Sequence, residues 1–488
     1  MSPHGLRQAA HGDPALPARL EPWMRRLLGD PAACADLLRE HGSPVNVHDF
    51  GPLRGNAAEV VEAGRRQGVA VRVFVARKAN KTLGLVDETR RLGHGIDVGS
   101  ERELLQVLDR GVPPADIVLT AAVKPGRLLR TAMARGVPVV LDNLDEALAA
   151  QSISSQLPHP SSVALRLAPE AGRGLAPTRF GEGMRTWLDF LDAHPFEGAG
   201  QRLDGVHFHL HGYEPGDRTA ALGQAIELVD QVRLRGHEPS FIDMGGGMPM
   251  SYIDDAGAWE TFWDRHEAAV LGDGEALTWR GDGLGLRREE GRDGARLAGA
   301  RDLYPYHQEP VRGAWLEQVL AGEVAPGSTA ARALRDRDLA LHCEPGRSML
   351  DGCGLTLSRV AFRKHTSDGI PIVGLEMNRT QCRSTSADFL VDPILVRTGA
   401  HGHGRGTGDH WNAPRGAFLV GAYCIEAELI LRRRIVFPQG VAVGDCIALP
   451  NTAGYLMHIL ESASHQIPLA ANVVRSQDGF ARDDIDGL

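Results

Sequence analysis

The chain has 488 residues, 43% of them hydrophobic, and a formal net charge of −9. Its length gives room for two domains with real cores, and its hydrophobic share excludes wholesale disorder. A negative balance without a long basic run argues against nucleic acid as a partner, and no apolar run is long enough to span a bilayer.

The first twenty residues, MSPHGLRQAAHGDPALPARL, lack the apolar stretch of a secretory signal. Six cysteines (Cys34, Cys343, Cys353, Cys382, Cys424, Cys446) are scattered without metal-ligand spacing. These features predict a cytoplasmic protein with reduced thiols. Lysine occurs only at Lys78, Lys81, Lys124 and Lys364. Arginine stays protonated and is a poor Schiff-base former, so each retained lysine is a functional candidate, against simple chance retention.

Residues 1–45 read as an N-terminal segment, part of it packing on the C-terminal domain, with a short helix near EPWMRRLLG. A regular rhythm follows. Strand-like runs are VRVFVA (71–76), GIDVG (95–99), DIVLT (116–120), VPVVLD (137–142), SVALRL (162–167), GVHFHL (205–210), FIDM (241–244) and LALHC (339–343). Helical patterns such as ERELLQVLDRG lie between them. Eight such units predict an α/β fold, a (β/α)8 barrel over 46–344, rather than an open doubly wound sheet. The interval from FIDM to LALHC is too long for one helix and two loops, so an insertion is expected at about 270–335. Such an insertion would serve as a lid or be a disordered excursion. After residue 345 the helical rhythm fades, and IPIVGLEM, GAFLVGAYCIEAELI, RRRIVFP and DCIALP predict a mainly β domain to 488. The glycine-rich stretch 399–416 reads as a solvated loop despite its histidines.

Function in such a barrel sits where strands end. Strand one ends at Lys78, strand two at Asp97 and Ser100, strand five carries Arg166, and strand six carries VHFHLHGY. On a strand, His207, His209 and His211 would turn to one face, as in a zinc site, or would form a plain polar strand end. Gly245, Gly246 and Gly247 follow strand seven, and Gly346 and Arg347 follow strand eight. Backbone N–H groups of such loops approach an anion closely, and these two loops are the usual phosphate site of this barrel. A phosphate ligand faced by a lysine points to pyridoxal 5′-phosphate (PLP) held on Lys78 as a Schiff base. Glu344 would then reach the pyridine nitrogen and keep it protonated.

With VARKAN, HGIDVGSERELLQVLDRG, LAPTRFG, GGGMP, EPGR, GAYC and AGY in order, the chain resembles the PLP-dependent decarboxylases with an alanine-racemase-like barrel: the diaminopimelate, ornithine and arginine decarboxylases. The resemblance spans about residues 36–475, apart from the insertion. It implies PLP as cofactor, decarboxylation of an amino acid, and a homodimer with shared active sites. It implies that Lys78 is the Schiff-base residue, that His209 stacks on the cofactor ring and that Arg166 lies near its phenolate oxygen. Tyr455 would contact the phosphate, and Cys424 would be offered by one subunit to the other's site as a proton donor. No metal is expected; His207 and His211 would flank a cofactor.

The chain departs from the family in three places. Where the family has Gly-Ser beyond the stacking histidine, this chain has His211-Gly212, so a phosphate-binding hydroxyl is missing or replaced. The acid expected after Cys424 is Ile425, with Glu426 next. In LEMNRTQCRST, Arg383 is one residue off the register of the distal-carboxylate arginine, and Arg379 replaces an acid. Arg379, Arg383 and Glu426 are thus the candidate substrate-binding residues, and a non-standard substrate is expected. A racemase or epimerase, or a non-catalytic partner-binding homologue, are the rival readings.

Overall fold

The computed structural model describes residues 3–196, 200–292, 294–384, 391–398, 416–477 and 479–487. Of the glycine-rich stretch, residues 399–415 lie outside the described residues. The chain forms two compact units. One comprises Leu53–Pro249 and Glu309–Met349; the other comprises Met1–Pro52, Met250–Gln308 and Leu350–Leu488.

The first unit is a closed barrel of eight parallel strands: Val71–Ala76, Gly95–Val98, Ile117–Leu119, Val139–Leu141, Ser161–Leu167, Gln201–Phe208, Phe241–Asp243 and Ala340–Cys343. Each predicted run supplies one strand. The last strand pairs with the first, Leu341 opposite Val71, which closes the barrel. Helices between the strands start on polar caps. Ser100 accepts from the Glu103 N–H at 3.2 Å, and Asn143 accepts from the Glu146 N–H at 2.9 Å, where the first turn leaves N–H groups unpaired.

The barrel interior alternates large and small residues. Phe74 lies in register with Gly95, and Phe241 with Gly205. A Cβ on Gly95 or Gly205 would meet a phenyl carbon at 2.3 Å, so each ring takes the space its neighbour leaves. The Phe241 ring also stacks on His342, with centroids 4.2 Å apart and planes 13° apart.

The second unit is built on a mixed sheet. Its strands run in the order Ile394–Val396, Cys446–Pro450, Gly354–His365, Val45–His48, Ala471–Ser476 and Gly479–Arg482. Val45–His48 pairs with Gly354–Leu357 on one side and Ala471–Val474 on the other. This central place takes the chain up to Pro52 into the β unit, seven residues beyond the expected 1–45 segment. Helices Pro22–Leu28 and Pro31–His41 pack Met24, Leu28, Cys34 and Leu38 against Val45, Leu357 and Val473.

The expected insertion is also placed differently. The chain leaves the barrel unit at Met250 and returns at Glu309, so helices Arg312–Ala321 and Ala330–Arg335 belong to the barrel unit. Met250–Gln308 carries its own aromatic cluster. Tyr252 meets Tyr304 edge-on at 5.6 Å and Tyr306 at 5.0 Å, and Trp259 meets Trp263 at 5.7 Å. Such rings hold a segment together through burial and edge-to-face contact.

Candidate active site

Strand ends of the barrel bring Lys78, Asp97, Arg166 and Glu344 into one hydrogen-bonded network. Lys78 Nζ lies 2.8 Å from Asp97 Oδ2; the lysine side chain is 46% exposed and the aspartate 1%. Asp97 Oδ1 accepts from Thr120 Oγ1. The Thr120 carbonyl accepts from Arg166 Nη2 at 2.7 Å, and Asp142 Oδ1 accepts from Arg166 Nη1 at 2.7 Å. Arg166 Nε then donates to His207 Nδ1 at 3.1 Å, and His207 Nε2 lies 3.2 Å from Glu344 Oε1. Because an arginine only donates, Nδ1 must accept, so the proton of a neutral His207 sits on Nε2 and points at Glu344. Burial and the nearby Arg166 charge push the His207 pKa well down, which keeps the ring neutral.

Behind Arg166 lies a second buried pair. Lys124 Nζ is 2.7 Å from Glu146 Oε1, which also accepts from the Asp142 N–H at 3.0 Å. The Asn143 cap fixes the helix that carries Glu146. Burial lowers the Lys124 pKa against the pull of Glu146.

Asp243 adds a second carboxyl beside Glu344. One oxygen each of Asp243 and Glu344 and one nitrogen of His207 lie within 4.8 Å of one another. Asp243 Oδ1 accepts from the Gly245 N–H at 2.9 Å, and its buried Oδ2 has no hydrogen-bond partner. Burial and then the Glu344 charge push the Asp243 pKa well up. Burial raises Glu344 too, but the Lys78 and Arg166 charges oppose it, so Asp243 takes the proton first.

The three histidines do not share one environment. The strand ends at Phe208; His207 is buried, His209 half-buried and His211 exposed. Both His207 nitrogens are engaged by Arg166 and Glu344. The His209 and Phe180 rings meet at 85° with centroids 5.3 Å apart, and burial pushes the His209 pKa down to about 3. A cavity of 350 Å³ opens there, lined by Leu175 to Phe180 of the LAPTRFG loop with His209, His211 and Asp217.

Gly245, Gly246 and Gly247 form the turn after strand seven, with φ of 65° at Gly245 and 83° at Gly247, which favour glycine. The Glu344 N–H donates to the Gly245 carbonyl at 2.8 Å, tying this loop to the one after strand eight. A Cβ at Gly246 would sit 3.0 Å from the Glu344 carbonyl. Gly346 is buried, and Arg347 opens the short turn Arg347–Leu350.

Cys424, Tyr455, Arg379, Arg383 and Glu426 belong to the other unit. Cys424 and Glu426 are exposed there, and Tyr455 has φ 71°. The acid that meets the arginines is Glu428, not Glu426: it is 4% exposed, accepts the Arg379 N–H at 2.8 Å and lies 3.6 Å from Arg379 Nε. Arg383 Nη2 donates to the Leu429 carbonyl at 2.7 Å.

These residues fit PLP. An amine over a carboxylate, a glycine turn that a Cβ would fill, and a buried acid steadied by a neutral imidazole are the groups that the aldehyde, phosphate and pyridine ends require. Residues 58–269 match the family of pyridoxal-dependent decarboxylases over its pyridoxal binding domain. Over those residues the chain is similar to the PLP-dependent amino-acid decarboxylases. It is 25% identical to diaminopimelate decarboxylase of Pseudomonas aeruginosa over 88% of this chain and 87% of the relative. It is 28% identical to an uncharacterised protein of Sinorhizobium fredii over 92% of this chain and 91% of that one. Diaminopimelate decarboxylase of Helicobacter pylori, solved with L-lysine, shares the fold with a TM-score of 0.66 and 18% identity, covering 93% of this chain and 97% of the other chain.

Sequence reasoning assigned no site role to Asp243, Asp142 or Glu146; it read His207 as flanking a cofactor and Lys124 only as one of four retained lysines. Strand-end position could have found Asp243 and Asp142; nothing local marks Glu146, which joins the network through the Asp142 N–H.

Proposed function

We propose that this chain removes CO2 from a non-standard amino acid, one recognised by neither a simple ammonium nor a simple carboxylate subsite. The observation that carries decarboxylation is Glu344. Its carboxylate is buried, held by His207 and set to share a proton with a pyridine nitrogen. A carboxylate there favours full use of the ring, whereas racemases of this barrel place a basic residue at that nitrogen.

PLP, when bound, supplies an electron sink for the bond broken at the substrate Cα. The chain's residues do the rest. Lys78 holds the cofactor and returns as a proton carrier. Asp97 keeps the lysine ammonium oriented until the cofactor binds. Glu344 holds the proton on the pyridine nitrogen. His209 would present its face to the ring, and the LAPTRFG loop lines the cavity beside it. Cys424, exposed on its own subunit and offered to the partner's site in a homodimer, protonates Cα after CO2 leaves. The substrate reading rests on Ile425, which removes the expected acid, and on Glu428, which Arg379 already engages.

CO2 release from a panel of L- and D-amino acids, measured beside Lys78→Ala, tests this reading. Release from at least one member, abolished by Lys78→Ala, supports it and names the substrate class. Racemisation of a member without CO2 would overturn it in favour of a racemase.

A further inference from the structure

Arg218 lies in the first turn of helix Pro215–Arg233 and is completely buried. Among the described residues no carboxylate pairs with it. Its Nη2 donates to three carbonyls: Leu210 at 2.8 Å, Gly212 at 3.1 Å and Gly246 at 3.3 Å. Its Nε and Nη1 are buried with no hydrogen-bond partner. Burial lowers its pKa to about 10, with Asp217 opposing, so the group still carries its charge at neutral pH. A buried cation with two idle donors and no paired carboxylate is strongly unfavourable unless an anion completes the site.

The surroundings say which anion. The guanidinium fills the space beside Gly247, where a Cβ would fall 2.2 Å from Nη2. It therefore supports the glycine turn from behind and bonds one of its carbonyls. It also bonds the carbonyl of Gly212, the position at which the decarboxylase family's hydroxyl is missing. One end of its grip, Gly246, belongs to the loop after strand seven, whose N–H groups would face a phosphate; the other, Leu210 and Gly212, follows strand six, where the family's hydroxyl would stand.

We propose that Arg218 is a positioning and charge-supplying residue of the cofactor's phosphate site, in place of the hydroxyl that this chain lacks at Gly212. The inference rests on PLP as the cofactor and concerns only how its phosphate is held. A guanidinium behind the loop orients the glycine turn through Gly246 and adds a fixed positive charge to the N–H groups. That charge favours a dianionic phosphate and is indifferent to the pyridine ring.

The test separates phosphate from ring. Cofactor-free full-length protein is titrated with PLP and with pyridoxal, which lacks the phosphate, following absorbance of the bound chromophore. Arg218→Met keeps the length and removes the charge. It is expected to weaken PLP binding by about tenfold or more while pyridoxal affinity stays within about twofold of wild type. Arg218→Lys, which keeps the charge without the fork, is expected to fall between the two. Equal PLP affinity in wild type and Arg218→Met would overturn the proposal, as would an equal loss for PLP and pyridoxal, which marks a purely structural role. If Arg218→Met does not fold, Arg218→Lys decides by the same comparison. A wild-type protein that binds neither compound fails the cofactor assignment itself, a result distinct from PLP binding that ignores Arg218.

Discussion

Asp243 and Glu344 share a buried pocket and carry one negative charge between them more easily than two. Asp243 therefore keeps its proton in the folded protein at pH values where the unfolded chain has lost it. Between about pH 4, the ordinary aspartate value, and its raised folded value, the folded state binds more protons. Stability then falls as pH rises through that window. Asp243→Asn preserves the acceptor for the Gly245 N–H but cannot ionise. The melting temperature of the cofactor-free variant, relative to wild type, should climb as pH rises from 4 to 8. Each 1 kcal/mol released corresponds to roughly 1–2 °C for a chain of this size. A constant difference across that range would show that Asp243 is ionised throughout. The residue scale is also where the sequence was least legible. Lys78, Asp97, Arg166 and Glu344 announced themselves at strand ends, and the structure joins them in one network. Arg218 did not, because one more arginine in a helix looks like any surface arginine in a chain that uses arginine for nearly every positive charge.

At the scale of elements, the barrel was readable because its strands are short β-branched runs between amphipathic helices, and all eight runs became strands. The pairing of Phe241 with Gly205, and of Phe74 with Gly95, was not readable, because register depends on neighbours far apart in sequence. It has a measurable cost. Gly205→Ala would drive a methyl into the Phe241 ring, and overpacking of this kind costs about 1–3 kcal/mol. Denaturant unfolding should show that loss in the Phe241 background and most of it recovered in Gly205→Ala/Phe241→Leu. An equal loss in both backgrounds would place the strain elsewhere. The extent of the segment between strands seven and eight that leaves the barrel unit was hard to read for a related reason. Composition drew attention to the charged GDGLGLRREEGRDG stretch, whereas the segment is held together by Tyr252, Trp259, Trp263, Tyr304 and Tyr306, which begin about twenty residues earlier.

At the scale of the whole molecule, the proposed chemistry divides between the two units. Lys78 and Glu344 lie in the barrel unit, Cys424 and Tyr455 in the other. If each active site takes Lys78 from one chain and Cys424 from its partner, no chain can complete its own site. Lys78→Ala and Cys424→Ala would each lose activity as pure dimers. Mixed dimers would hold one site with both residues intact and one with neither. Random reassortment makes half the dimers mixed, and half the sites in those are intact, so about a quarter of wild-type activity should return. The measurement is CO2 release after the two variants are mixed under conditions where subunits exchange, with exchange confirmed by a size or label change. Recovery near that fraction supports shared sites. Exchange without any recovery would mean that Lys78 and Cys424 act within one chain, or that Cys424 is not the proton donor, and homodimerisation would then have to be explained without the active site.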